Sequence, residues 1–216
     1  MYPYPASAAR PGSVVGRTLG FVAAAMGVSA VAALASPAVP RGLSLLLMLL
    51  AIAGVFALNW VKDKPGINVA IFFFVAAALG LGVGSIIDVY LARGLGGIVV
   101  DAAGTTAVIA AGAGFYGYTT NRDLSRLGSI LFFALIGVLI ASVVGFFVHL
   151  PLLGVLVSAA AAAVFTGYIV YDINRVAHAG EASEGDVIVL ALGIYLDLIN
   201  LFLAILRILG FLSGRD

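Results

Sequence analysis

Seven apolar runs, each about as long as the ~20 residues a helix needs to cross a bilayer, follow one another with little sequence between them. They cover Thr18–Ala35, Leu43–Val61, Asn68–Ile87, Ile98–Thr119, Ser129–Leu150, Leu152–Ala177 and Val187–Leu209. The connectors carry turn and polar chemistry: Ser36-Pro37 to Arg41-Gly42, Lys62-Asp63-Lys64-Pro65-Gly66, Asp88 to Gly97, Asn121 to Arg126, and Asn174 to Asp186, with a sharp hairpin at His149-Leu150-Pro151. A chain of 216 residues has no room for a further folded domain beside seven such runs. With 63% hydrophobic and only 10% charged residues, against roughly 25% charged in soluble domains, the chain is predicted to be an all-α integral membrane protein. The expected organisation is a flexible N-terminal tail over residues 1–17 and a seven-helix transmembrane domain over residues 18–212.

The first run has a second reading. Arg10 and Arg17 precede an apolar stretch ending Ala33-Leu34-Ala35-Ser36, which has the form of a signal-peptide cleavage site and would leave six spans. The stretch is also long enough to stay as an anchor, and that reading is preferred. Short-loop basic residues set orientation. Arg10, Arg17, Lys62, Lys64, Arg122, Arg126 and Arg175 collect on the N-terminal side, against Arg41, Arg93 and Arg215 on the other. The N-terminus is therefore expected in the cytoplasm and the C-terminus outside.

Several function classes are disfavoured. A net charge of +1 with scattered basic residues offers no patch for nucleic-acid phosphates. The absence of cysteine removes disulfides and Cys-based metal sites, and His149 and His178, single residues at loop edges, suggest no metal site. The only lysines, Lys62 and Lys64, lie in a loop, so no buried Schiff base is available to retinal. No span pairs a nucleophile with a base, and neither intramembrane aspartate has the Gly-x-Gly-Asp setting of an intramembrane aspartyl protease, so an enzyme is not expected. No internal repeat points to an inverted-repeat transporter. Gly80, Gly82 and Gly84 in the third span and Gly104, Gly112 and Gly114 in the fourth are read as places where helix backbones approach closely.

Charges inside spans are costly and mark function by default. Asp172 stands late in the sixth span, in Gly167-Tyr-Ile-Val-Tyr-Asp172-Ile-Asn174-Arg175, and Asp197 near the middle of the seventh, in Gly193-Ile-Tyr-Leu-Asp197-Leu-Ile-Asn200. The two spans meet at one loop and run antiparallel, which allows the carboxyls to face each other. In low dielectric such a pair cannot ionise twice cheaply and is expected to share a proton. Deprotonation would drive the helices apart, and the ionised oxygens would suit Ca²⁺. The plainer alternative has each aspartate bonded separately to a backbone carbonyl or to Asn174, Tyr195 or Asn200, fixing helix register. Arg207 is read as a snorkelling residue. Asp101, at the start of the fourth span, is favoured electrostatically at a helix N-terminus or serves as a cation entrance.

Gly104-Thr105-Thr106-Ala107-Val108, Thr120-Asn121-Arg122-Asp123-Leu124-Ser125, Tyr171-Asp172, Tyr195-Leu196-Asp197-Leu198-Ile199-Asn200-Leu201-Phe202 and Leu206-Arg207-Ile208-Leu209-Gly210-Phe211 together closely resemble the transmembrane Bax inhibitor motif family, in its bacterial form. The likeness runs from the second span onward and is strongest over the last two. It implies a seven-helix bundle with the last helix central, a pH-sensitive Ca²⁺ leak in the inner membrane, and no cofactor beyond Ca²⁺ as the permeant ion. It also implies that the carboxyl pair, here Asp172 and Asp197, is the proton sensor and gate, and it supports Asp101 as an entrance. In bacterial members a basic residue after the second span latches onto the pair. Lys62 stands nearest that place, but it lacks the bidentate fork of arginine, so a weaker latch or none is expected. A second-span acidic residue found in some relatives is missing. Some bacterial relatives associate with a membrane-anchored protease complex, which implies the alternative of a non-conducting regulator.

Overall fold

The computed structural model describes residues 11–148 and 150–214. It consists of seven helices, α1 (Pro11–Leu34), α2 (Arg41–Val61), α3 (Ile67–Ala92), α4 (Gly96–Thr119), α5 (Ser125–Val148), α6 (Pro151–Ala177) and α7 (Glu184–Leu212), with a short 3-10 turn at Ser36–Ala38. All seven are long and apolar enough to span a membrane, and there is no strand among the described residues. Helices and no open strands are what a bilayer permits, since only internal hydrogen bonds can satisfy the backbone there. The protein is a multi-pass membrane protein.

Helix ends depart from the hydropathy reading where polar residues extend a helix past its apolar run. α1 begins at Pro11, so residues 11–17, expected in a flexible tail, are helical; residues 1–10 lie outside those described. α3 continues through Asp88 to Ala92 and α7 starts at Glu184, whereas α6 ends at Ala177 as the hydropathy reading has it. α6 opens on Pro151, whose missing N–H is no loss at the first helical position. His149, in the expected hairpin, is outside the described residues. Gly66 and Gly94, with φ of 81° and 73°, make the turns before α3 and α4 in the left-handed region that disfavours other residues.

The chain divides into two compact units, one drawn from Met1–Gly82 and Arg175–Gly193, the other from Val83–Asn174 and Ile194–Asp216. In the first, the fully buried Phe72 packs edge-on against Phe21 and Phe73. The Ser29 hydroxyl donates to Ala76 O across 2.8 Å. A Cβ on Gly80 would lie 2.5 Å from Ser29 O, so α1 and α3 touch backbone to backbone there. Gly82 makes room for Met48. In the second unit the close approach on α4 is at Gly117, seated against Val170 O of α6, and a Cβ at Gly104 or Gly112 would meet nothing. The glycines expected to pack on α4 are thus the wrong ones; Gly114 only grazes Ile173, at 3.9 Å.

Exposure follows lipid contact. α7 is the most enclosed helix, with 56% of its best apolar window buried, as expected for a central last helix, whereas α5 has 11%. Leu45, Leu49, Phe133 and Phe146 are among the large side chains left outward, as suits a surface whose solvent is hydrocarbon.

Candidate functional site

Asp172 and Asp197 both belong to the second unit. Asp197 sits deep in α7, 6% exposed, and its Oδ2 has no hydrogen-bond partner among the described residues. Asp172 is half-buried on α6 and lies within Coulombic reach of Asp197. The carboxyls that the sequence paired are therefore electrostatic neighbours. Both also lie within charge range of Tyr168, one turn before Asp172 on α6, whose ring faces Phe165 at 6.5 Å. Tyr168 escaped the sequence reading. Its spacing of four from Asp172 is the signal that could have found it.

Two of the expected supporting polar residues, Asn174 and Asn200, hold backbone. Asn174 Nδ2 donates to Gly117 O at 3.1 Å and to Thr120 O at 3.0 Å, closing the C-terminal end of α4. Asn200 Nδ2 donates to Leu196 O one turn back, at 2.8 Å, and Tyr195 is fully buried. Tyr171 fills the space over Gly128 of α5. With Val170 on Gly117 and Leu131 in the space over Gly167, the last turns of α6 are fixed against α4 and α5 around Asp172. Asp101 stands apart and exposed. Because α4 starts at Gly96, Asp101 is in its second turn, where the helix dipole favours an acid less. It lies 16 residues from Gly117, or about 24 Å along the helix.

Lys62 does not latch the pair here. Its Nζ meets Asp186 Oδ1 of α7 at 2.7 Å, within the first unit. Asp186 is held by a capping box with Ser183: Ser183 Oγ donates to Asp186 Oδ2 at 2.8 Å, and Asp186 N donates to Ser183 Oγ at 3.1 Å. The Lys62 carbonyl abuts Gly185 and accepts from Asn68 Nδ2 at 2.8 Å. The spacing Ser183-x-x-Asp186 is the signal that could have placed this helix start, whereas nothing in the sequence points to its cationic partner. Hydrogen bonding and charge from Asp186 raise the Lys62 pKa above its ordinary value. The lysine's contribution is thus complete at neutral pH and lost only as pH rises through that raised value. Lys62→Gln is expected to change the melting temperature little, since both side chains are well exposed, at 38% and 44%. A thermal melt in detergent at low and high salt checks this.

A family model described as Inhibitor of apoptosis-promoting Bax1 matches residues 12–214. The chain belongs to this family. Among family relatives, the modulator of FtsH protease YccA of Escherichia coli is 33% identical over 200 residues, covering 92% of this chain and 86% of YccA. The inner membrane protein YbhL of Escherichia coli is 37% identical over 157 residues, 69% of this chain and 65% of YbhL. A Helicobacter pylori protein is 32% identical over 165 residues, 76% of this chain and 70% of its own. In this Bax inhibitor-1-like protein no cluster of three or more His, Cys, Asp or Glu side chains suited to a metal occurs among the described residues. The carboxyl pair by itself offers far fewer oxygens than the 6–8 of a Ca²⁺ storage site.

Proposed function

We propose that the protein is a proton-gated Ca²⁺ leak of the bacterial inner membrane, with Asp172 and Asp197 as sensor and gate. The observation that carries this reading is the Asp197 carboxyl, enclosed in α7 with one oxygen unpartnered and with Asp172 in charge range. A protonated or singly charged pair tolerates the closed packing. A doubly ionised pair is repelled in a medium that screens poorly, and separation lets water and a cation in. Two carboxylates make a weak, transient Ca²⁺ site, as passage requires. Asp101 serves as a cation-attracting entrance on the outer side, with the N-terminus cytoplasmic and the C-terminus outside. Lys62, engaged by Asp186, acts at the start of α7 and not on the pair.

The test is Ca²⁺ flux into proteoliposomes across a pH series. Flux is expected to rise as pH rises. No flux above empty liposomes at any pH, with the protein shown folded and inserted, overturns the reading.

A second reading is supported by the likeness to YccA, which spans nearly all of both chains. Here the protein is a non-conducting regulator that binds a membrane-anchored protease complex. Reconstituted with such a protease, it would change the rate of substrate degradation, and Asp197→Asn would act as wild type does.

A further inference from the structure

A cavity of about 480 Å³ opens in the second unit between α3, α5, α6 and α7, within the size range of ligand pockets. Its walls are mainly apolar, among them Leu135, Val138, Phe165 and Leu203. Leu139 and Ile86, also on its lining, are 55% and 39% exposed, so it is open sideways to the hydrocarbon. One charged residue lines it, Arg207 of α7, and no carboxylate does. The guanidinium rests on the first turn of α6, where a Cβ on Gly154 would lie 2.9 Å from Nη2. Among the described residues Arg207 has neither a hydrogen-bond nor an ion-pair partner.

This placement is electrostatically incomplete. The first turn of a helix carries a partial positive charge and N–H groups with no intrahelical acceptor. The exposed guanidinium set beside it adds charge of the same sign, with no anion on the cavity lining to balance either. Both would be balanced by one anionic group at that spot, which would take charge-assisted hydrogen bonds from Arg207 and be favoured by the positive end of the α6 dipole. The groove beside it takes an acyl chain and opens to lipid. We propose that this cavity is a binding site for an anionic phospholipid, with its phosphate on Arg207 at the start of α6 and one chain between α3 and α5. Basic pockets between membrane helices bind headgroups by the same physics. Arg207, expected only to snorkel, becomes the headgroup ligand.

The test uses the whole 216-residue chain in detergent and in lipid nanodiscs. Phosphatidylglycerol is expected to raise the melting temperature in detergent and to remain bound in native mass spectrometry, whereas phosphatidylcholine does neither. Arg207→Gln is expected to weaken phosphatidylglycerol retention about tenfold or more, the effect of losing charge-assisted hydrogen bonds to an anion. Arg207→Lys would keep part of it, and Arg126→Gln, a cation in the first turn of α5 outside the cavity, would keep all of it. Because lysine retains the charge and the stem, it carries the test if the glutamine variant fails to fold. Equal response to both lipids in the wild type overturns the proposal. So does undiminished retention in Arg207→Gln, or full retention in Arg207→Lys if that variant alone folds. An equal effect of inorganic phosphate or of a free fatty acid overturns the phospholipid assignment.

Discussion

Asp197→Asn is expected to give Ca²⁺ flux that stays low and flat across the acid-to-neutral range in which the wild type rises. A gate that responds to one proton can change its open fraction by at most about tenfold per pH unit, and that slope should vanish in the variant. Asparagine keeps the shape of the carboxylic acid and cannot ionise, so the repulsion that separates α6 from α7 never develops. Asp172→Asn removes the other half of the same interaction and should flatten the profile too. Its residual response should be larger, because Asp172 is half-buried whereas Asp197 is 6% exposed and pays more for its charge. The measurement is proteoliposome flux beside the wild type at equal protein density. A pH slope that survives in both variants would place the sensor elsewhere. A melt of each variant at neutral pH separates loss of gating from loss of fold.

Gly117→Val is expected to remove most folded protein. Any side chain there meets Val170 O and stands 3.1 Å from Val170 Cα, and these are backbone atoms of α6 that cannot swing aside. Overpacking alone is worth about 1–3 kcal/mol. Forcing α4 off α6 also breaks both Asn174 bonds to the end of α4, at about 1 kcal/mol each. Gly104→Ala and Gly112→Ala, on the same helix with nothing near the added carbon, should be silent. Yield of monodisperse protein in detergent and its thermal midpoint distinguish these cases.

The contrast among those glycines marks how far the sequence could be read. Seven spans follow from run length, and the acids of α6 and α7 stand out because hydrocarbon makes a charge conspicuous. Which side of a helix faces its neighbour is another matter. In a soluble helix polar residues mark the outward face, but in α4 and α5 the outward face is as apolar as the inward one. Gly104 and Gly117 are then indistinguishable before the packing is seen. Asn174 is one of the polar residues the sequence offers beside the aspartates, and its reach to the carbonyls at the end of α4 depends on packing that the sequence does not show. Tyr168 and Asp186 do not stand out in the sequence, one being an aromatic within a span and the other the last residue of the connector Asn174 to Asp186. Intramembrane charge points to the carboxyl pair and the family motifs support it, but neither reveals that Lys62 is engaged by Asp186.

The position of α5 has a consequence for how this chain can vary. Leu131 is its buried residue, set over Gly167, and Gly128 gives way to Tyr171. Away from these and from the cavity wall at Leu135, Val138, Leu139 and Ser142, its side chains answer to lipid, which asks only that they be apolar and of roughly the right total length. Leucine, isoleucine, valine and phenylalanine can therefore replace one another along most of this helix with little penalty, while Gly128 and Leu131 are held. Substitutions should accumulate freely on α5 without disturbing the neighbourhood of Asp172, which leaves the membrane-facing surface able to adapt to bilayers of different thickness and composition while the interior stays the same.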